Sequence, residues 1–185
     1  MNYLAMIPRS LTLGLSLVLA SCASNPVVLS ELRAPTSTES AKEREILSNV
    51  NSYRQANSKR RLKADRNLSD LARLHSQRMA RGETDFGHDG FGFRFSHARN
   101  LLEYDSLGEL VGYSTRSDAT PWILKQWKGS SVHRKQMLGS GQFAGAGVAR
   151  SASGTTYATF VMAVKADPIE VKGPKVLMDG FGNLR

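Results

Sequence analysis

The chain has 185 residues, a hydrophobic fraction of 41% and a charged fraction of 22%, ordinary values for one globular domain with short extensions. Its formal net charge of +9 favours anionic partners, namely nucleic acid, anionic lipid or an acidic wall polymer. The single cysteine excludes an intrachain disulfide, and with it every fold that depends on one.

The N-terminal segment predicts export. An apolar run at residues 11–20 follows Arg9, and Arg9 is the only charged residue of the first 21. The run is too short to span a bilayer, which needs about 20 apolar residues, and its length is typical of a signal-peptide core. We therefore expect residues 1–21 to be a signal peptide.

The cysteine that follows predicts a lipid anchor. The apolar run ends in Leu-Ala-Ser-Cys, with the cysteine at Cys22, and this resembles the bacterial lipobox, in which the thiol is acylated after cleavage. The alternative is an ordinary signal peptide with an incidental cysteine. An acyl chain holds a protein on a membrane without spanning it. Because Ala23 stands where an acidic residue would favour the inner membrane, we expect the outer membrane, with the protein facing the periplasm.

The rest of the chain divides into a tether, one domain and an extension. Residues 22–40 are rich in Ser, Thr and Pro and predict a flexible tether. Residues 41–166 carry the periodic patterns of a folded domain, and residues 167–185, rich in glycine and proline, predict a C-terminal extension. Ser40 and Glu43 form a capping-box pattern that predicts the start of the first helix.

The pattern of the domain is helices first and an antiparallel hairpin last. The predicted elements are a first helix to Asn57, helices at 69–81 and 96–103, a strand at 108–114, a helix from Thr120-Pro121, a short helix at 132–138, and strands at 144–150 and 155–164. The aromatic and glycine-rich stretch at 86–95 predicts a loop. This order favours an α+β fold with helices packed on a sheet.

The densest basic run is residues 59–63, Lys-Arg-Arg-Leu-Lys. Between two helices such a run is typical of a solvated loop face, and we favour that interpretation over a binding site.

Two of the four histidines are candidates for a functional site. His75 lies on the apolar face of the second predicted helix, where a core role is expected, and His97 lies in a basic, exposed turn. His88 and His133 instead lie in Gly- and Ser-rich segments at element boundaries, where site residues gather. With Glu109, which begins a predicted strand, they would provide either an open zinc site or a general acid/base group. Spacing alone does not show that the three meet.

A set of ordered segments between residues 46 and 164 resembles a bacterial CAP (SCP/PR-1-like) domain. The segments are LSNVNSYR (47–54), LARLHSQRMA (71–80), FGH (86–88), GEL (108–110), WKGSSVHRKQML (127–138), GAGV (145–148) and the strand at 157–164. The resemblance implies a three-layer αβα sandwich with a mainly antiparallel central sheet. It also implies a cleft where His88, Glu109 and His133 converge. From their chemistry we expect these residues to bind a divalent cation, zinc being the expected one; the alternative is that they only support the cleft by hydrogen bonds.

Two departures from the family pattern bear on activity. Many members carry a second cleft glutamate shortly after the tryptophan that matches Trp127, but residues 128–132 contain no acid. Leu110 stands where the family usually has asparagine. Both departures weaken a direct transfer of activity from the family to this chain.

The sequence therefore favours a binding module of the cell envelope over an enzyme. The expected ligand is a divalent cation or a small apolar envelope component, and anionic lipid or cell-wall polymer is a candidate partner of a monomeric protein. The alternative is a metal- or His/Glu-dependent peptidase, against which stands the lack of a Gly-x-Ser-x-Gly elbow, a His-Glu-x-x-His pair and a spare cysteine. The predicted export and the lack of a nucleic-acid recognition motif argue against nucleic acid as a partner.

Overall fold

The computed structural model describes residues 29–165, which form five α-helices and four β-strands after a turn of 3-10 helix at Leu29–Glu31. In chain order the elements are α1 (Ser37–Ala56), β1 (Lys63–Ala64), α2 (Arg66–Arg81), α3 (Phe91–Leu102), β2 (Tyr104–Ser114), α4 (Ala119–Gly129), α5 (Ser131–Met137), β3 (Phe143–Arg150) and β4 (Thr156–Lys165). The predicted signal peptide, Cys22 and the predicted C-terminal extension lie outside the described residues. None of the helices within 29–165 is long and apolar enough to cross a membrane.

The strands form one mixed sheet in the order β1-β3-β4-β2. β4 pairs antiparallel with β3 on one side and with β2 on the other, while the two-residue β1 runs parallel to β3. The α+β class and the mainly antiparallel sheet are confirmed, because among the described residues only the pairing of β1 with β3 is parallel. The parallel part consists only of β1, which is too short to show the alternation by which a strand is recognised.

Helices cover both faces of the sheet, so the domain has three layers. α1, α4 and α5 share a hydrophobic cluster with one face of β3 and β4, in which Trp127 and Phe160 are the largest side chains. α2 and α3 pack on the opposite face, where Leu68, Leu71 and Ala98 are buried. Alternate residues of β4 therefore enter different cores, since successive strand side chains point to opposite faces.

The closest contact between layers is that of α2 with β3. A Cβ atom added at Gly145 would overlap the backbone of Ser69, and one added at Gly147 would overlap the backbone of Arg73. The backbone of α2 thus rests directly on the strand. The Ser76 hydroxyl lies 2.9 Å from the Gly147 carbonyl oxygen and completes the contact.

The first helix begins earlier than the sequence predicts. It starts at Ser37, and its capping box is made by Thr36 and Glu39 rather than by Ser40 and Glu43. Glu43 is used elsewhere, because both of its carboxylate oxygens accept hydrogen bonds from Arg73 of α2, each at 2.8 Å. Residues 29–31 form a 3-10 turn, and residues 37–40 lie in the first turn of α1.

Only the first half of the aromatic stretch at 86–95 is a loop, and the second half is helical. α3 begins at Phe91, five residues before the predicted start, and Gly90 precedes it with a φ of 71°. Only Gly92 of the three glycines lies inside the helix, so the glycine content does not prevent helix formation here. The earlier start places Arg94 in the first turns of α3.

Gly147→Ala should destabilise the domain by about 2–3 kcal/mol, because an added methyl group must push α2 off the sheet. The matched control is Gly129→Ala at the end of α4, where a Cβ meets no atom within 4 Å; it should change the free energy of unfolding by less than about 1 kcal/mol. Urea unfolding followed by circular dichroism measures both. Equal stability of the two variants would contradict the close contact.

Candidate functional site

The loop that carries His88 is held in place by a buried histidine of α2. His75 is only 2% exposed, and its Nε2 lies 2.8 Å from the Gly87 carbonyl oxygen. A carbonyl only accepts, so Nε2 is the donor. The core position predicted for His75 is observed, and in addition this side chain fixes the backbone directly before His88.

Beneath this loop lies a buried ion pair. Glu109 of β2 accepts hydrogen bonds from Arg94 of α3 at both carboxylate oxygens, Nε to Oε2 and Nη2 to Oε1, each at 2.7 Å. The Arg94 and Glu109 side chains are 5% and 1% exposed respectively. Arg94 Nη1 also donates to the Asp89 carbonyl oxygen at 2.8 Å. Such two-pronged pairs combine strong attraction with a fixed geometry, so the carboxylate is held rigidly.

His88 joins the ion pair from the solvent side. Its Nδ1 lies 3.0 Å from Glu109 Oε1, and because the carboxylate accepts, Nδ1 carries the proton. The side chain is 54% exposed, and in its neutral form the ring offers Nε2 as a hydrogen-bond acceptor to a ligand. The structure thus brings together His88 and Glu109, two of the three residues that the sequence proposes for the cleft.

His133 lies near this group but does not join it. Burial lowers the pKa of His133, and a proton on the nearby His88 ring would lower it further. Within residues 29–165 no hydrogen bond or ion pair links His133 to His88 or Glu109, and His133 Nδ1 is buried with no partner there. Its backbone N–H donates to Ser130 Oγ at 3.4 Å at the start of α5.

Arg94 is the site residue that the sequence does not reveal. The sequence predicts a loop at this position, where a cation is expected to be solvated. The sequence feature that indicates a buried role for Arg94 is its position between Phe93 and Phe95. A single cation in such surroundings requires a buried partner, because an unpaired buried charge is very costly.

Exposed aromatic rings border the His88 loop. Phe86 is 48% exposed and meets Tyr113 edge-on, with ring centroids 4.8 Å apart. Tyr113 pairs across the sheet with Tyr157 at 6.2 Å between centroids. Exposed aromatic groups with a polar group beside them are typical of binding surfaces.

The residues present do not fit the predicted zinc site. In the described part of the chain no group of three or more His, Cys, Asp or Glu side chains is arranged to hold a metal ion. Both oxygens of Glu109 are already engaged by Arg94, so a cation would have to displace a buried guanidinium to reach them. His88 and His133 each keep a nitrogen without a hydrogen-bond partner among the described residues, but two imidazoles without the carboxylate are fewer ligands than zinc requires.

The sequence profile of the cysteine-rich secretory protein family matches residues 47–164, more than half of the chain. This chain belongs to that family, also called CAP. The resemblance carried by the ordered segments is therefore confirmed, and the folded unit described above is a CAP domain. No curated protein sequence matches the chain significantly.

Solved structures of bacterial proteins share this fold. A cysteine-rich secretory protein from Staphylococcus aureus superposes with a TM-score of 0.56 at 20% identity over 72% of this chain. An extracellular protein with an SCP domain from Bacillus anthracis superposes with a TM-score of 0.54 at 21% identity over 70% of this chain. An outer surface protein from Borrelia burgdorferi superposes with a TM-score of 0.55 at 12% identity over 66% of this chain. The aligned part covers 42%, 45% and 92% of those three chains respectively. At these identities the likeness establishes the fold alone.

The CAP domain should lose stability as the pH falls below about 6.5, the ordinary pKa of histidine. Burial lowers the pKa of His75, and the charge of Arg94 lowers it further, against the opposing effects of Glu109 and the Gly87 bond. The unfolded chain then binds protons more readily than the folded one, so this stability is complete above the unfolded pKa and is lost as the pH decreases. His133 contributes with the same sign.

His75→Gln keeps an N–H donor and removes the titrating ring, so it should reduce this pH dependence. Urea unfolding at a series of pH values between neutral and mildly acidic measures the slope. The control is His97→Gln, which alters a partly exposed histidine of α3. An unchanged slope in His75→Gln would mean that another group governs the acid sensitivity.

Proposed function

We propose that the protein is a non-catalytic binding module of the cell envelope, whose ligand contacts His88 and the aromatic rings of Phe86 and Tyr113. The observation that carries this proposal is the half-exposed imidazole, oriented by a buried carboxylate and bordered by exposed rings. A polar group of fixed direction beside an apolar surface is the composition of a small-molecule site. We expect the ligand to be a small envelope component with an apolar part and a hydrogen-bond donor.

The arrangement favours binding over hydrolysis. Glu109 has both oxygens engaged by Arg94, so its carboxylate is not free to attack a substrate or to activate water. Ser130 accepts a backbone hydrogen bond as a helix cap, and in the described residues no hydroxyl group is hydrogen-bonded to the ring of His88 or His133. The alternative, an envelope peptidase, would use His88 as a general base assisted by Glu109.

We place this module on the periplasmic side of the outer membrane, held by an acyl group on Cys22. The lipobox pattern supports the anchor. The extracellular and outer-surface proteins that share the fold support an exported location. The net positive charge favours anionic lipid or wall polymer as its surroundings.

The proposed ligand site can be tested by site-specific photocrosslinking. The full chain, produced in its own host with a photoreactive phenylalanine analogue in place of Phe86, should capture an envelope compound that mass spectrometry identifies. The same analogue at Leu101, which is 69% exposed on α3, is the control and should not capture it. His88→Ala should reduce the capture at least tenfold while the thermal unfolding midpoint changes little, since the side chain is half-exposed.

Equal capture from both positions, or capture that persists in His88→Ala, would contradict this site. Incubation of the same wild-type protein with casein and with envelope peptides tests the peptidase. Cleavage that is lost in His88→Ala would replace the binding proposal with the hydrolytic one.

Zinc should not bind at His88, Glu109 and His133, because Arg94 holds the carboxylate. Calorimetric titration of the full chain with zinc should give the same heat for the wild type, His88→Ala and Glu109→Gln. Binding that is lost in both variants would instead mean that Arg94 swings away and that a metal site forms. Thermal unfolding of each variant separates loss of a ligand from loss of the fold.

A further inference from the structure

A basic groove lies at the opposite edge of the sheet from His88. Its walls are the segment 59–63, which leads into β1, and the segment 138–143, which leads into β3, and its volume is about 710 Å³. The residues that line it include four cations and no acidic residue: Lys59, Arg60, Arg61 and Lys63. β1 and β2 are the two outer strands of the sheet, so this groove is separate from the cluster around Glu109.

The four cations are exposed and available to a ligand. None of them forms an ion pair with a carboxylate among residues 29–165. Arg61 donates only to the side-chain oxygen of Gln55, at 3.0 Å, and Lys63 Nζ lies 5.9 Å from the centre of the Phe143 ring. Four like charges around one concavity repel each other, and this repulsion is relieved when an anion enters.

A fifth positive charge lies behind the groove. Arg54 of α1 is 2% exposed, and its guanidinium donates to the carbonyl oxygens of Arg60 at 2.9 Å, Met137 at 2.6 Å and Gly139 at 2.9 Å. It therefore ties the two walls of the groove together. Like the four exposed cations, it has no carboxylate partner in the described part of the chain. Burial lowers the pKa of Arg54, which reflects the cost of a buried charge without a counterion.

We propose that this groove binds a ligand carrying two or more phosphate groups. The paired N–H donors of the Arg60 and Arg61 guanidinium groups match the geometry of phosphate oxygens. The four positive charges of the groove exceed the negative charge of one phosphate group, which is at most about two near neutral pH. The volume is also that of a site for a ligand larger than a single ion. A bound polyanion would neutralise the exposed cations. It would also bring negative charge near Arg54, which has no carboxylate partner among the described residues. The groove is thus a second site, with a ligand of different chemistry from that expected at His88.

Calorimetric titration of the full chain with tripolyphosphate at low ionic strength tests the proposal. We expect one molecule to bind per chain and the affinity to fall as salt is added. Arg60→Gln combined with Arg61→Gln should weaken binding at least tenfold. Arg44→Gln combined with Arg99→Gln removes the same charge from exposed positions of α1 and α3 outside the groove, and should weaken it less than twofold. Thermal unfolding of each variant checks that the fold is retained.

Vesicles distinguish a lipid headgroup from a soluble phosphate compound as the source of these groups. Sedimentation with phosphatidylglycerol-containing vesicles, compared with phosphatidylcholine alone, is measured for the wild type and both double variants, which share the same N-terminal segment. If Arg60→Gln/Arg61→Gln reduces sedimentation with phosphatidylglycerol vesicles and the control double variant does not, the phosphates belong to lipid headgroups. If Arg60→Gln/Arg61→Gln leaves sedimentation unchanged but weakens tripolyphosphate binding, they belong to a soluble ligand. Equal effects of the two double variants in both assays, or no binding of either probe, would overturn the proposal.

Discussion

The direct contact between α2 and β3 determines where the site around His88 lies. Because Gly145 and Gly147 have no side chains, α2 rests on the strand itself, and its orientation is fixed by backbone against backbone. His75, on the same helix, is thereby placed at a fixed height above the sheet and holds the Gly87 carbonyl oxygen. A larger residue in β3 would lift α2 and move the His88 loop away from Glu109.

Three buried arginines illustrate two ways of keeping a positive charge inside a small domain. Arg73 and Arg94 are paired with the carboxylates of Glu43 and Glu109, and the two pairs join α2 to α1 and α3 to β2. Arg54 instead donates to main-chain carbonyl oxygens, which carry only partial negative charge. The charges of Arg94 and Glu109 cancel beside His88, whereas the charge of Arg54 has no carboxylate beside it among residues 29–165 and leaves its side of the domain electropositive.

Much of the architecture is predictable from the sequence, and the exceptions have physical causes. The apolar periods of α2 and of the β3–β4 hairpin are long enough to identify both, and the family segments place His88 and Glu109 at one cleft. β1 has only two residues and no period to recognise. The predicted start of α1 is wrong because Ser40 and Glu43 satisfy the same local pattern as Thr36 and Glu39, and only tertiary contacts with Arg73 decide between them. The role of Arg94 depends on a partner on another element, which local patterns do not contain.

The pairing of Glu43 also affects the outer edge of β3. β1 covers β3 only at Phe143 and Ala144, so the remainder of β3 would present unpaired main-chain groups along that side. Glu43 Oε1 accepts a hydrogen bond from the Val148 N–H at 3.2 Å and occupies this edge with a charged side chain. An added strand, from an extended peptide or from another copy of the chain, would have to displace a carboxylate that is already bound to Arg73. The residue that joins α1 to α2 thereby protects the domain from edge-to-edge aggregation.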